Sequence, residues 1–393
     1  MMTFKRALIA TAFFLTVIYY LTRPSPRADT FVAPASDFNG QELLVDSRRP
    51  STTATTQQDA SQAGRLGRTG GNKLGVPGQR PIMDAKMSLY DKLAYQYPYD
   101  VETKFPAYIW QTWKYTPANG EFTFREQEAT WTDQHPGFIH EVITDTVAVH
   151  LLRLLYASVP EVLEAYETLP LPVLKADFFR YLILLARGGI YTDIDTYAIR
   201  SALEWIPESV PRNAIGLVIG IEADPDRPDW KDWYSRRIQF CQWTIQAKPG
   251  HPVLREIVSH ITLETLRRKR LGLLETTDKN VVEFTGPAVW TDIIFDYFND
   301  ARFFDMTNSK GPIDWRNFTG MDMPKRVGDV IILPITSFSP GVQQMGAKEY
   351  DDPMAFVKHD FEGTWKPEEL RHIGEQKEDE KEKEKNSEKG KKR

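Results

Sequence analysis

The sequence predicts an α/β domain with a mostly parallel central sheet, carried behind an N-terminal membrane anchor. Three observations predict it. Short β-favouring runs alternate with helical patterns from Lys104 onward, the order that gives parallel strands joined by helices. One helix, glycine turn and strand, within Lys175 to Ile199, ends in two carboxylates, Asp193 and Asp195. An apolar run, Ala7 to Leu21, follows Lys5 and Arg6 at the start of the chain.

That apolar run is shorter than the roughly 20 residues an average bilayer needs, but thinner early secretory membranes accept shorter spans. The Thr22-Arg23-Pro24-Ser25-Pro26-Arg27 that follows puts arginines and prolines where signal cleavage requires small residues. Residues 1–6 are therefore expected to be a cytosolic tail and residues 7–22 an uncleaved signal-anchor. Residues 23–103 are rich in Ser, Thr, Gln, Gly, Pro and Arg and read as a flexible stem, with a short helical pattern near Met87. The globular domain is expected over 104–374. From Glu375 the chain is almost wholly Glu and Lys, so 375–393 reads as a solvated, disordered tail.

Within the domain, Phe105 to Trp113 reads as a buried first strand and Ile139 to Ile143 as a second. Helical patterns cover Glu126 to Gln134 and flank Asp145 to Val149 and Pro160 to Glu167. The central helix opens at Pro172, where the missing N–H costs nothing. Leu174, Phe178, Tyr181 and Leu185 fall on one face of it. Gly188-Gly189 ends it, because the left-handed position after a helix favours glycine. Ile190-Tyr191-Thr192 is the strand that follows, and Asp193 and Asp195 share a face if the strand runs on. Ala214 to Glu222 is a continuous apolar run suited to a buried strand. Trp243 and Ile245 read as part of a helical segment, and helices are expected over Val253 to Lys269 and Ala288 to Phe298. Val330 to Pro334 reads as a late strand, followed by a Gly/Pro/Gln loop.

Bulk properties exclude several classes. The 393 residues carry a net charge of −5, which disfavours nucleic acid as a partner. One cysteine, Cys241, excludes an intrachain disulfide and a cysteine-built zinc site. The single sequon, Asn317-Phe318-Thr319, is a candidate glycosylation site.

Two nearby carboxylates repel unless a cation sits beside them. Hard oxygens suit Mg²⁺ or Mn²⁺, whose shells phosphate oxygens commonly complete. Asp193 and Asp195 therefore suggest metal-assisted departure of a phosphate leaving group. Asp177 and Arg180, three residues apart on the preceding helix, either form an exposed ion pair or reach the substrate held by the aspartates.

Several stretches together resemble the fungal Golgi initiation-specific alpha-1,6-mannosyltransferases, relatives of glycolipid mannosyltransferases and glucosylating bacterial toxins. They are Ile109 to Lys114, Lys175 to Asp195, Gly220 to Asp224, Thr285 to Trp290, Leu333 to Gly341 and His359 to Trp365. The resemblance spans roughly residues 104–366, and Trp110 stands where the group often has His. It implies a GT-A-type nucleotide-sugar-binding fold with Mn²⁺, or Mg²⁺, on a diphosphate. The donor would be GDP-mannose and the acceptor the N-linked mannose oligosaccharide of glycoproteins. Mannose would be added in α1,6 linkage with retention, starting outer-chain elongation. It also implies a single-pass type II protein of the Golgi membrane, lumenal in its catalytic domain, with association with other mannosyltransferases as a further expectation. The rival reading is a non-catalytic subunit that scaffolds such a complex.

By the resemblance, Asp195 is a metal ligand, and Asp193 contacts the metal, the ribose or the sugar. His359 resembles the late residue that completes the metal shell. Asp177 and Arg180 match positions that grip the donor sugar. Trp110 and Trp113 are candidates to stack on guanine, core packing being the alternative. Retention calls for a carboxylate near the anomeric centre or for front-face attack, and Glu222 or Asp224 could supply that carboxylate. Trp230 and Trp233, in a loop of acids, are candidates for the acceptor site.

Overall fold

The computed structural model describes residues 86–225, 227–232, 234–274, 281–307, 309–341 and 345–363. The cytosolic tail, the anchor, the stem up to residue 85, Trp233 and the 375–393 tail lie outside the described residues. Among the described residues no helix is long and apolar enough to cross a membrane.

The first described helix, α1 (Leu89–Gln96), falls inside the stretch expected as stem. Ser88 caps it by accepting a hydrogen bond from the Asp91 N–H at 3.1 Å. Leu89 and Leu93 are buried in the main core, so the packed domain begins before residue 104.

The main sheet contains β1 (Tyr108–Thr112), β2 (Ile139–Ile143), β3 (Gly189–Thr192), β5 (Leu217–Ala223), β6 (Gln239–Phe240), β7 (Thr244–Ala247), β8 (Lys325–Val327) and β9 (Val330–Leu333). Its order is β2-β1-β3-β7-β5-β9-β8, with β6 beside β5. β1 pairs parallel with β2 and β3, and β5 with β9. β7 runs antiparallel between β3 and β5, and β8 antiparallel on β9. The sheet is therefore mixed, which corrects the mostly parallel expectation. The reason is the return from β5 through β6 into β7: it has no crossover helix, and only antiparallel strands join without one. Trp243 and Ile245 accordingly belong to this return and to β7, not to a helix. A second sheet pairs β4 (Thr196–Ala198) antiparallel with β10 (Val357–His359).

The helices after α1 are α2 (Arg125–Gln134), α3 (Asp145–Leu155), α4 (Pro160–Thr168), α5 (Pro172–Arg187), α6 (Pro252–Leu271), α7 (Val281–Phe284), α8 (Pro287–Phe298) and α9 (Ile335–Phe338). Strand alternation sorts the sheet residues into two cores. Trp110, Tyr191, Ile219 and Ile332 join the core that contains α5, α6 and α8. Ile109, Ile190, Val218 and Ile331 join the core on the other face, with Trp131, Trp205 and Phe338. With both faces covered, the strands read as unbroken apolar runs.

α5 is the central helix. Pro172 is at its first turn, and Gly188 ends it at φ 64°, donating its N–H to Leu184 O at 2.9 Å. Its apolar surface is wider than one face, because Phe179, Leu182, Ile183 and Leu184 are buried along with the expected stripe. Asp177 and Arg180 are buried too, which removes the exposed ion-pair reading. Gly189, at φ 95°, brings β3 against β1, where a Cβ would lie 2.6 Å from Tyr108 O.

Candidate active site

Asp193 and Asp195 lie on the turn between β3 and β4, so turn geometry rather than strand alternation brings them together. Three bonds hold the Asp193 backbone. Its N–H donates to Trp243 O at 2.9 Å, and its carbonyl accepts from Thr196 Oγ1 at 2.6 Å and Gln111 Nε2 at 3.2 Å. Thr196 is itself tied to Thr192 Oγ1 at 2.8 Å and to Trp131 Nε1 at 3.0 Å.

His359 arrives on β10, opposite Thr196 in the β4 pairing. Its Nε2 lies 3.1 Å from Asp195 Oδ1, and the other carboxylate oxygen accepts from the Glu362 N–H at 3.1 Å. Ligand atoms of Asp193, Asp195 and His359 all fall within 4.8 Å of one another. Burial works against charge on the imidazole, but the Asp195 carboxylate outweighs it and raises the His359 pKa. Burial would likewise raise the Asp195 pKa, yet the His359 contact holds it below the usual range. Burial pushes the Asp193 pKa up, with Arg180 opposing and Asp195 adding to the rise. Two carboxylates and one imidazole form an oxygen-dominated donor set that fits a divalent cation.

Arg180 connects this turn to α5. Its Nη2 lies 2.9 Å from Asp177 Oδ1 and 3.3 Å from Asp193 Oδ1, and the guanidinium sits over the Tyr191 ring at 5.1 Å. Its Nε and Nη1 are buried with no hydrogen-bond partner among the described residues. Buried guanidinium donors cost free energy when unpaired, and anionic or hydroxyl oxygens are the partners that suit them. Asp177, by contrast, is satisfied by Thr285 Oγ1 at 2.8 Å and Gln242 Nε2 at 3.2 Å as well as by Arg180. It acts on Arg180 and has no open acceptor role in view.

The two candidate carboxylates of β5 part ways. Glu222 accepts from Gln239 Nε2 at 3.0 Å. Burial raises its pKa, and the charges of His359, Arg180 and Asp193 all act on it, so it lies within electrostatic reach of the cluster. Asp224 instead is locked by Arg237 Nη1 at 2.7 Å, Thr319 Oγ1 at 2.9 Å and the Gly320 N–H at 2.7 Å. That is a structural clamp on the Thr319 loop, not a group free to meet a sugar.

Trp110 is a core residue. It stacks on Tyr108 at 5.0 Å and donates its Nε1–H to Gly188 O at 2.9 Å. Trp113 packs edge-on against Phe124 at 4.8 Å, in the small cluster that contains Ile194 of the aspartate turn. Its buried Nε1 has no partner among the described residues. Trp230 lies in a 3-10 turn, Trp230–Asp232, with Lys231 over its ring at 5.7 Å. Asn317 closes a capping box with Asp314, and its sequon partner Thr319 bonds Asp224.

Sequence reasoning missed the residues that orient this site. Gln111 accepts from His140 Nε2 at 2.8 Å, and His140 Nδ1 lies 2.9 Å from Thr132 Oγ1. Burial holds the His140 pKa down to about 4, so the ring is neutral and keeps the Gln111 amide turned toward Asp193. Gln242 and Thr285 buttress Asp177 in the same way. Their only trace was the polar end of the first strand and the Thr285 that precedes Gly286-Pro287.

The family described as a glycosyltransferase sugar-binding region containing a DXD motif matches residues 122–211, which hold Asp193 and Asp195. The chain is 48% identical to the initiation-specific alpha-1,6-mannosyltransferase of Candida albicans, over 74% of this chain and 80% of that one. It is 47% identical to the protein of the same name from Schizosaccharomyces pombe, over 70% of this chain and 67% of that one. The chain belongs to the initiation-specific alpha-1,6-mannosyltransferase family. Among solved structures it is similar to the PaToxG glycosyltransferase at TM-score 0.34 and 17% identity, over 53% of this chain and 74% of that one. Within this family the Asp193-Ile194-Asp195 turn is the DXD motif, and Arg180, Glu222 and His359 are the charged groups gathered around it.

Proposed function

We propose that this chain is a retaining alpha-1,6-mannosyltransferase with a GT-A-type fold, acting in the Golgi lumen as a type II membrane protein anchored by residues 7–22. The donor is GDP-mannose and the acceptor an N-linked mannose oligosaccharide. The observation that carries the reading is the pair of unpartnered Arg180 donors beside the Asp193, Asp195 and His359 cluster. A sugar diphosphate has the matching chemistry: anionic oxygens for a cation and a guanidinium, and hydroxyls for the remaining acceptors.

Asp193, Asp195 and His359 would hold Mn²⁺ or Mg²⁺. Such an ion supplies positive charge to a departing diphosphate. Arg180 directs its open Nε–H and Nη1–H at phosphate or sugar oxygens, and Asp177 fixes its orientation. Glu222 offers negative charge to the anomeric carbon as it becomes positive. The bond from that carbon to the diphosphate breaks, and the acceptor 6-hydroxyl oxygen forms the new bond. Its proton leaves on a phosphate oxygen or on Glu222.

The test is mannose transfer by the full-length chain from GDP-mannose to a mannose oligosaccharide, with Mn²⁺ and with EDTA. The expected product carries a terminal mannose removable by an α1,6-specific mannosidase. EDTA and Asp195→Ala should each abolish it. A folded chain that transfers nothing with Mn²⁺ present would overturn the reading.

A further inference from the structure

Phe361 is a large apolar side chain exposed next to this centre. It is 52% exposed, although it follows His359 by only two residues. Its φ is 52°, a left-handed value that bulky residues seldom adopt. The chain is held in that conformation from both sides. The Asp360 N–H donates to Asp195 O at 3.0 Å, and the Glu362 N–H to Asp195 Oδ2 at 3.1 Å. The ring meets His359 in a tilted contact, 4.1 Å between centroids at 46°, and lies nearly perpendicular to Trp243 at 6.1 Å. Such strain persists where surrounding structure imposes it, and it gathers at binding sites.

We infer that Phe361 is a platform for a hexose ring of the acceptor oligosaccharide, held beside the cation-binding cluster. The apolar face of a hexose stacks on an aromatic ring while its hydroxyls stay hydrated. The acceptor is assigned, not the donor, because of what surrounds the ring. Arg180, Asp193 and Glu222 provide the charged lining on which a sugar diphosphate depends. Phe361 provides no charge and is half exposed, so it offers a neutral sugar an apolar surface rather than an ionic contact. This inference deepens the mannosyltransferase reading and rests on it.

The experiment compares full-length wild type with Phe361→Gly and Phe361→Tyr. Glycine removes the ring and suits the left-handed backbone, so relief of strain offsets part of the lost ring packing, and a cooperative thermal transition checks that the variant is folded. Acceptor KM should rise about tenfold in Phe361→Gly and return toward the wild-type value in Phe361→Tyr, while donor KM moves less than about twofold. Saturation-transfer NMR with a free mannose oligosaccharide gives a readout that needs no turnover. Wild type should pass saturation from aromatic protons to mannose protons, and Phe361→Gly should not. An unchanged acceptor KM, a rise in donor KM instead, or no oligosaccharide binding to wild type overturns the inference. Failure of transfer by wild type, with NMR binding retained and lost in Phe361→Gly, would count against the enzymatic reading alone.

Discussion

Replacing Arg180 by Ala should destabilise the domain through Asp177 rather than through Asp193. Both carboxylates face the same guanidinium, at 2.9 and 3.3 Å. Asp193 keeps 26% of its side chain exposed and can recover hydration, whereas Asp177 is 4% exposed and cannot. Removing one partner of a buried pair costs about 3–5 kcal/mol. For a domain of this size that lowers Tm by roughly 5–9 °C. Adding Asp177→Asn should return about 1–3 kcal/mol, because it removes the stranded charge. The amide suits the site: Oδ1 can accept from Gln242 Nε2, and Nδ2 can donate to Thr285 Oγ1, whose hydroxyl turns to accept. Thermal and urea unfolding of the three chains, followed by tryptophan fluorescence, measures the difference. Equal stability of Arg180→Ala and the double variant would refute the claim that Arg180 neutralises Asp177.

Three further outcomes follow from the same structure. Gln111→Leu removes the bond to the Asp193 carbonyl and strands the His140 N–H, so kcat should fall about a hundredfold in a mannose-transfer assay. Gly189→Ala forces a Cβ to within 2.6 Å of Tyr108 O at φ 95°. It should cost at least about 3 kcal/mol on thermal denaturation, by strain and by loosening the β1–β3 pairing. Asp329 is buried and accepts from Tyr297 at 2.8 Å and from Tyr99, with His251 Nε2 at 3.3 Å. Burial would raise its pKa, but His251 and the tyrosine hydroxyls outweigh that and hold it below the usual carboxylate range. Its contribution to stability is therefore full above the ordinary aspartate value of about 3.9 and lost as pH falls through the lower folded value. Asp329→Asn should flatten that acid limb in urea titrations run from pH 6 down to pH 2.5.

What the sequence by itself determined was local. Proline at a first turn, glycine at a left-handed exit and β-branched runs act through their own backbone preferences, so α5, Gly188-Gly189 and β3 stand where the sequence places them. The family motifs, carried mostly by those same stretches, marked the aspartate turn as the chemical centre. Tertiary structure decided what distant segments do to one another. Antiparallel β7 entered the sheet because a return strand between β5 and β3 has no helical signature, and Thr244 to Ala247 is too short to show a period. Asp177 and Arg180 became a buried pair because α5 is covered on more sides than its stripe foretells. Asp224 was claimed by Arg237 and Thr319, and Trp110 by Tyr108 and Gly188, leaving Glu222 within electrostatic reach of the centre. His359 meets Asp195, 164 residues away in the chain, only because β10 pairs with β4. Such a contact is paid for by the packing of the whole domain, and no local preference encodes it.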